Sequence, residues 1–197
     1  MVGSSVLGRR PNPATREALI ASGMALFAER GLDKPSLDDI CERAGYTRGA
    51  FYVHFKDRDD FLVAVMDRVG GAMVDQLLAA GPGGLADVVQ RFVAASAAGK
   101  HPLMPGGGIR MHQLLDACAR SPVLQERYLG LVRDSKARIT EMLRDGQKQG
   151  FFRAGLDPAG AASVLMAVVF GLETMADLGV ELDLPTVGVQ LLVLLQA

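Results

Sequence analysis

Residues 36–61 read SLDDICERAGYTRGAFYVHFKDRDDF. Ser36, with Asp39 three residues on, forms a capping box with a shorter acid than usual; it opens LDDICERA, which Gly45 closes. Thr47 is a natural N-cap for RGAFYVHF, and Asp57, with Asp60 three residues later, caps the helix that starts at Arg58 and runs toward Leu78. Two short helices joined by a tight turn are thus followed at once by a long one. At about 100° per residue, Phe51 and Phe55 fall together on one side of the second short helix, and Gly49, Tyr52, Val53 and Lys56 on the other. The first side belongs to a core and the second is exposed, which is the form of a helix-turn-helix. Free backbone N–H groups at Thr47 and Arg48 suit a phosphate or a guanine edge, and Gly49 leaves room for the close approach of a duplex backbone.

Working outward, Asn12 followed by Pro13 marks a helix start, and Leu19, Gly23 and Phe27, with Ile20 and Met24 beside them, recur at helical spacing until Gly31. Downstream, helices are expected at about 85–98, 107–120, 122–148, 158–178 and 184–196, separated by GPGG, KHPLMPGGG and Ser-Pro. No alternating strand pattern of useful length and no internal repeat occurs. The expectation is an all-α chain of about nine helices. An N-terminal arm over 1–11 precedes a three-helix unit over 12–58, and a larger helical domain covers 59–197. Arg9 and Arg10 of the arm could add a salt-sensitive contact to a nucleic-acid backbone.

The chain has 197 residues, is 49% hydrophobic and carries a net charge of −1. That charge excludes coating of nucleic acid or anionic membrane by bulk attraction. Within the first 60 residues nine Lys/Arg balance nine Asp/Glu, so only their placement can favour DNA. The most hydrophobic stretch, AASVLMAVVFGL, stops at Glu173 and is followed by Asp177, which argues against a membrane span. The N-terminus lacks the pattern of a secretory signal, so a cytoplasmic location is expected. Two cysteines, Cys41 and Cys118, are too few for a disulfide framework. Cys41 beside Ile40 reads as core, and His112 and Cys118 face different ways on one helix, so no shared metal is expected. The PGGGI segment at 105–109 has no strand before it and no Lys-Ser/Thr after it, so it reads as a loop. No catalytic constellation and no cofactor motif is present.

The segment from about Thr15 to Val69 resembles the N-terminal DNA-binding domain of the TetR family of transcriptional repressors, its AcrR-like branch above all. ALFAERG, SLDDICERAG, TRGAFY and HFKDRDDF carry the resemblance in the family's order and spacing. It implies that Thr47, Arg48 and Gly49 approach the major groove, that Tyr52 and His54 contact phosphate or base edges, and that Lys56 reaches phosphate. Ser36 falls where the family often makes another backbone contact. Val53 departs from the large aromatic or polar side chain common at its position; it offers no hydrogen bond to phosphate but can pack on a thymine methyl group.

Beyond this segment the resemblance is one of architecture: middle helices around a ligand cavity, and last two helices paired with those of a second subunit. The sequence supports the pairing independently. DPAGAASVLMAVVFGLETMADLG and LPTVGVQLLVLLQ are apolar on nearly all faces, and Ala161, Ala162, Ala167 and Gly171 permit close approach. A homodimer is expected with Val164, Val168, Leu172, Leu191 and Leu195 at its interface; a fully internal hairpin is the alternative. Phe92, Met111, His112, Leu115, Tyr128, Met166 and Phe170 are the expected lining for a small, largely apolar effector. The resulting expectation is a homodimeric repressor, released by such an effector from a pseudo-palindromic double-stranded DNA operator. Two rival readings remain open: a helical protein-interaction module, which calls for a more apolar exposed face, and an enzyme using the cavity, which calls for a catalytic constellation.

Overall fold

The computed structural model describes residues 12–77 and 110–196, together with residues 84, 87, 88, 90, 91 and 94. Arg9, Arg10, Phe92, the 105–109 segment and most of the helix expected over 85–98 lie outside the described residues. Eight helices occur among the described residues: α1 Pro13–Arg30, α2 Leu37–Ala44, α3 Arg48–His54, α4 Arg58–Leu77, α5 Met111–Arg120, α6 Pro122–Lys148, α7 Pro158–Asp177 and α8 Leu184–Leu195. Among the same residues the only β pairing is an isolated bridge between Phe152 and Gln196.

Side-chain caps fix most helix starts. Asn12 accepts a hydrogen bond from the Ala14 N–H at 3.0 Å, with Pro13 in the first turn of α1. Ser121 accepts from Leu124 at the start of α6, Asp157 from Ala159 and Gly160 at α7, and Asp183 from Thr186 at α8. Each cap satisfies N–H groups that a helix start otherwise leaves unpaired.

The helices bury two apolar clusters. The first gathers Leu19, Ile20, Leu26 and Phe27 of α1, Ile40 and Cys41 of α2, Phe51 and Phe55, and Phe61, Leu62 and Val65 of α4. It does not break at residue 58, because Ala117 and Cys118 of α5 and Leu124 of α6 belong to the same cluster. Polar ties follow the same path: Arg120 pairs with Asp33 at 2.7 Å, the Ser121 hydroxyl donates to Asp59 at 2.7 Å, and the Leu32 N–H donates to Gln113 at 3.3 Å. The second cluster holds Leu143, Phe152, Ala161, Ala162, Leu165 and Leu195.

By length and composition alone α7 is apolar enough to cross a membrane, a test that core helices also pass. It packs instead along α6 and against α5, and its last turn carries Glu173 and Asp177.

Candidate nucleic-acid interface

The geometry of the α2–turn–α3 unit follows from its caps. Ser36 accepts from the Asp39 N–H at 3.1 Å while its own N–H donates to the Asp39 carboxylate at 2.7 Å, so the expected capping box is complete. The Ser36 hydroxyl also donates to the Asp39 carboxylate at 2.5 Å, and this bond first, the Ser36 backbone N–H second, holds the Asp39 carboxyl below its ordinary range. At the other end Gly45 adopts φ 73° and ψ 29°, a left-handed conformation that favours glycine, and the following Tyr46 N–H closes onto the Cys41 carbonyl at 2.9 Å. Thr47 then caps α3 by accepting from Ala50 at 3.2 Å.

The orientation of α3 is set from beneath by four aromatic rings. Phe51 lies 5.4 Å and Phe55 5.0 Å from the Phe61 ring, centroid to centroid, and Phe27 completes the group at 6.3 Å. Gly23 is the reason α1 lies close: a Cβ there would stand 2.5 Å from the edge of Phe61. Arg58 ties the segment between α1 and α2 to α4, its guanidinium donating to the Pro35 carbonyl at 2.7 Å and the Leu32 carbonyl at 2.8 Å while lying over the Phe27 ring. Asp57 and Asp60 cap α4, with Asp60 accepting from the Lys56 N–H.

Most of the residues expected to meet DNA are left open. Ser36, Thr47, Arg48, Gly49, Tyr52, Val53 and Lys56 are exposed, Tyr52 at 53%, while His54 is half-buried at the end of α3. A Cβ at Gly49 would meet only the Thr47 hydroxyl, at 3.7 Å, so the subunit's own packing leaves that backbone open from outside. Arg48 is paired with Asp38, Nε to Oδ1 2.9 Å. Both cysteines are buried, which pushes their thiols up and keeps them neutral packing groups.

The residues expected to line an effector site are only partly brought together. The Tyr128 hydroxyl donates to the Met111 sulfur at 3.6 Å, and burial pushes the phenol up. Met166 and Phe170 are half-buried on α7. His112 is instead exposed and meets Asp177 at 3.2 Å, and Leu115, 50% exposed, lies on the open side of α5, because Leu114, Ala117 and Cys118 take the inner side. Among the expected interface residues Val164 is 61% exposed, and Val168, Leu172 and Leu191 are half-buried. Leu195 is corrected: at 6% exposure its apolar surface is spent inside the second cluster, whereas Val189, Val193 and Leu194 of the same helix are open.

Sequence reasoning passed over Glu173, using it only as the end of an apolar run. Its carboxyl is 7% exposed and pushed up to about 7, by burial first and the Asp177 charge second. Between its ordinary value of 4.5 and about 7 the unfolded chain releases a proton that the folded chain keeps. Stability is therefore expected to fall as pH rises through that window, by roughly 1–3 kcal/mol, and to be level above it. Glu173→Gln should flatten this dependence in thermal melts at about pH 5 and about pH 8. An unchanged slope would assign the effect elsewhere.

A short helix seated by its phenylalanines, with hydroxyl, guanidinium, phenol and ammonium groups on its outer side, defines a helix-turn-helix DNA-binding regulator. The sequence profile described as bacterial regulatory proteins, tetR family, matches residues 19–65, and that described as tetracyclin repressor-like, C-terminal domain, matches residues 84–183, just over half the chain. The chain belongs to the TetR family, a family of transcriptional regulators and not of enzymes. It is 46% identical over 55 residues to the uncharacterized HTH-type transcriptional regulator YwcC of Bacillus subtilis, covering 28% of this chain and 25% of that protein. It is 41% identical over 54 residues to the HTH-type transcriptional repressor BepR of Brucella suis, covering 27% and 26%. The chain thus aligns with about a quarter of the length of these curated relatives. Over nearly the full length, the SmeT–triclosan complex is similar at 32% identity and a TM-score of 0.70, covering 92% of this chain and 89% of that one. The reduced form of Escherichia coli NemR shares the fold at a TM-score of 0.77 and 21% identity, covering 93% and 97%.

Proposed function

We propose that this protein is a cytoplasmic repressor that binds a pseudo-palindromic operator as a two-fold homodimer and is released by a small, largely apolar effector. The observation that carries the DNA-reading part is the division of α3 and its flanking residues: Phe51 and Phe55 are buried, and Thr47, Arg48, Gly49, Tyr52 and Lys56 are exposed. One such helix per subunit would enter successive major grooves, with half-sites about 34–36 Å apart or somewhat more. The apolar groups left open on α7 and α8 support the pairing of subunits. For release, support comes from the half-buried Met111, Tyr128, Met166 and Phe170 and from the similarity to a regulator whose solved structure is a triclosan complex.

Base and phosphate contacts respond differently to substitution. Lys56→Ala or Tyr52→Ala is expected to weaken binding to all duplexes alike, because phosphate carries no sequence information. Arg48→Ala should relax base preference, costing about 1–3 kcal/mol of discrimination if the guanidinium meets guanine with both terminal nitrogens. Mobility shifts on the DNA upstream of the protein's own gene, with footprinting, test both. Unchanged protection by the Arg48→Ala, Tyr52→Ala double variant would remove α3 as the reading surface.

A further inference from the structure

Asp38, the second residue of α2, stands beside the first residue of α3. Its neighbour Asp39 is engaged in the Ser36 cap, but Asp38 accepts no cap bond, and among the described residues Arg48 is its one ion-pair partner. Arg48 likewise meets no other ion-pair partner among the described residues. The two side chains are 58% and 67% exposed, so their pairing contributes little to the fold. A carboxylate on a surface that meets a polyanion also repels it, and by itself lowers affinity for every duplex. Both costs point to an effect on Arg48 itself.

An arginine that reads guanine presents its two terminal nitrogens as a fork to O6 and N7. The carboxylate oxygen here meets Nε, at 2.9 Å; a guanidinium held at that nitrogen can keep its two terminal nitrogens for a base edge and is restrained from swinging to the nearest phosphate. We propose that Asp38 is a positioning residue for Arg48: it gives up general affinity for DNA to hold the guanidinium ready for a base edge, and so sets sequence selectivity. This inference rests on the proposal that Arg48 reads bases.

The test uses duplexes enriched by the unmodified full-length protein from a pool with a randomised core, and scrambled duplexes of the same composition. Affinities for both are measured for the unmodified protein, Asp38→Asn, Asp38→Ala, Arg48→Ala and the Asp38→Ala, Arg48→Ala double variant, with circular dichroism melts confirming the fold. Asp38→Ala is expected to lower the ratio of enriched to scrambled affinity by about 5-fold or more, within the roughly 5- to 150-fold that one bidentate base contact supplies. The loss should come from the enriched duplex, with the scrambled one bound as well or better. Asp38→Asn, which keeps an oxygen but no charge, should fall between. In the Arg48→Ala background removal of Asp38 should leave the ratio unchanged. Equal tightening on both duplexes would show that Asp38 only repels DNA, and a ratio that falls equally without Arg48 would show a purely structural role; either overturns the inference. A preference that survives Arg48→Ala would overturn it while leaving DNA reading in place. If the unmodified protein enriches no sequence, both proposals fall together.

Discussion

Phe61→Ala is expected to remove DNA binding by unfolding the half of the protein that presents α3. The ring is fully buried and lies against Phe27, Phe51 and Phe55, with Gly23 of α1 fitted to its edge. Truncation leaves a cavity at the meeting point of α1, α3 and α4, at a cost of about 3–5 kcal/mol. Against a total stability on the order of 5–15 kcal/mol, that is a large share. Because Phe51 and Phe55 are also the residues that aim α3, the loss should appear in operator binding at temperatures where α6 and α7 remain helical. Phe61→Leu, which keeps most of the apolar surface, should recover part of both. Thermal melts alongside mobility shifts read the two effects, and a Phe61→Ala protein with unaltered melting and binding would refute this account of how α3 is held.

The second large effect concerns subunit pairing. Val164 on α7 and Val193 on α8 are each more than half exposed within the subunit, and Met175 of α7 and Val189 and Leu194 of α8 are open as well. A glutamate at either position is accommodated by an isolated subunit, since the side chain already faces outward. In a two-fold interface each substitution occurs twice, and two desolvated carboxylates would cost several kcal/mol, with buried interface anchors worth about 2 kcal/mol or more apiece. Val164→Glu and Val193→Glu should therefore sediment as folded monomers. Their operator affinity should fall by far more than that of any single α3 variant, because a monomer reaches one half-site at a time. The unmodified protein sedimenting as a monomer at micromolar concentration would remove the basis for this.

The contrast between Phe51 and Leu195 shows which parts of the architecture can be read from sequence. Phe51 and Phe55 recur at helical spacing while Arg48, Tyr52 and Lys56 fall on the other side, so periodicity assigns their side of α3, and the caps at Ser36 and Thr47 are local signals within three residues. On α7 and α8 nearly every position is apolar, so periodicity carries no phase. Leu195 then faces inward and Leu194 outward because Leu195 joins Leu143, Phe152 and Leu165 in the second cluster. On α5, which mixes polar and apolar positions, Leu114 takes the inner side with Ala117 and Cys118 and leaves the adjacent Leu115 open. Arg58 was legible only as a helix start, although its guanidinium binds carbonyls 23 and 26 residues earlier. The Asp38–Arg48 pair bridges two helices, and the position of Glu173 depends on packing along α7; contacts of this kind come from tertiary arrangement, which short-range spacing does not encode.

The shared cluster that joins α1–α4 to Ala117, Cys118 and Leu124 bears on the engineering of hybrid regulators. Joining residues 1–58 to the body of another family member transfers the reading head but leaves behind the floor on which it stands. The new body would have to offer small side chains where Ala117 and Cys118 sit, a leucine-sized one at 124, and an arginine able to reach Asp33. A successful graft is thus defined less by the cut site than by the few body residues that travel with the head.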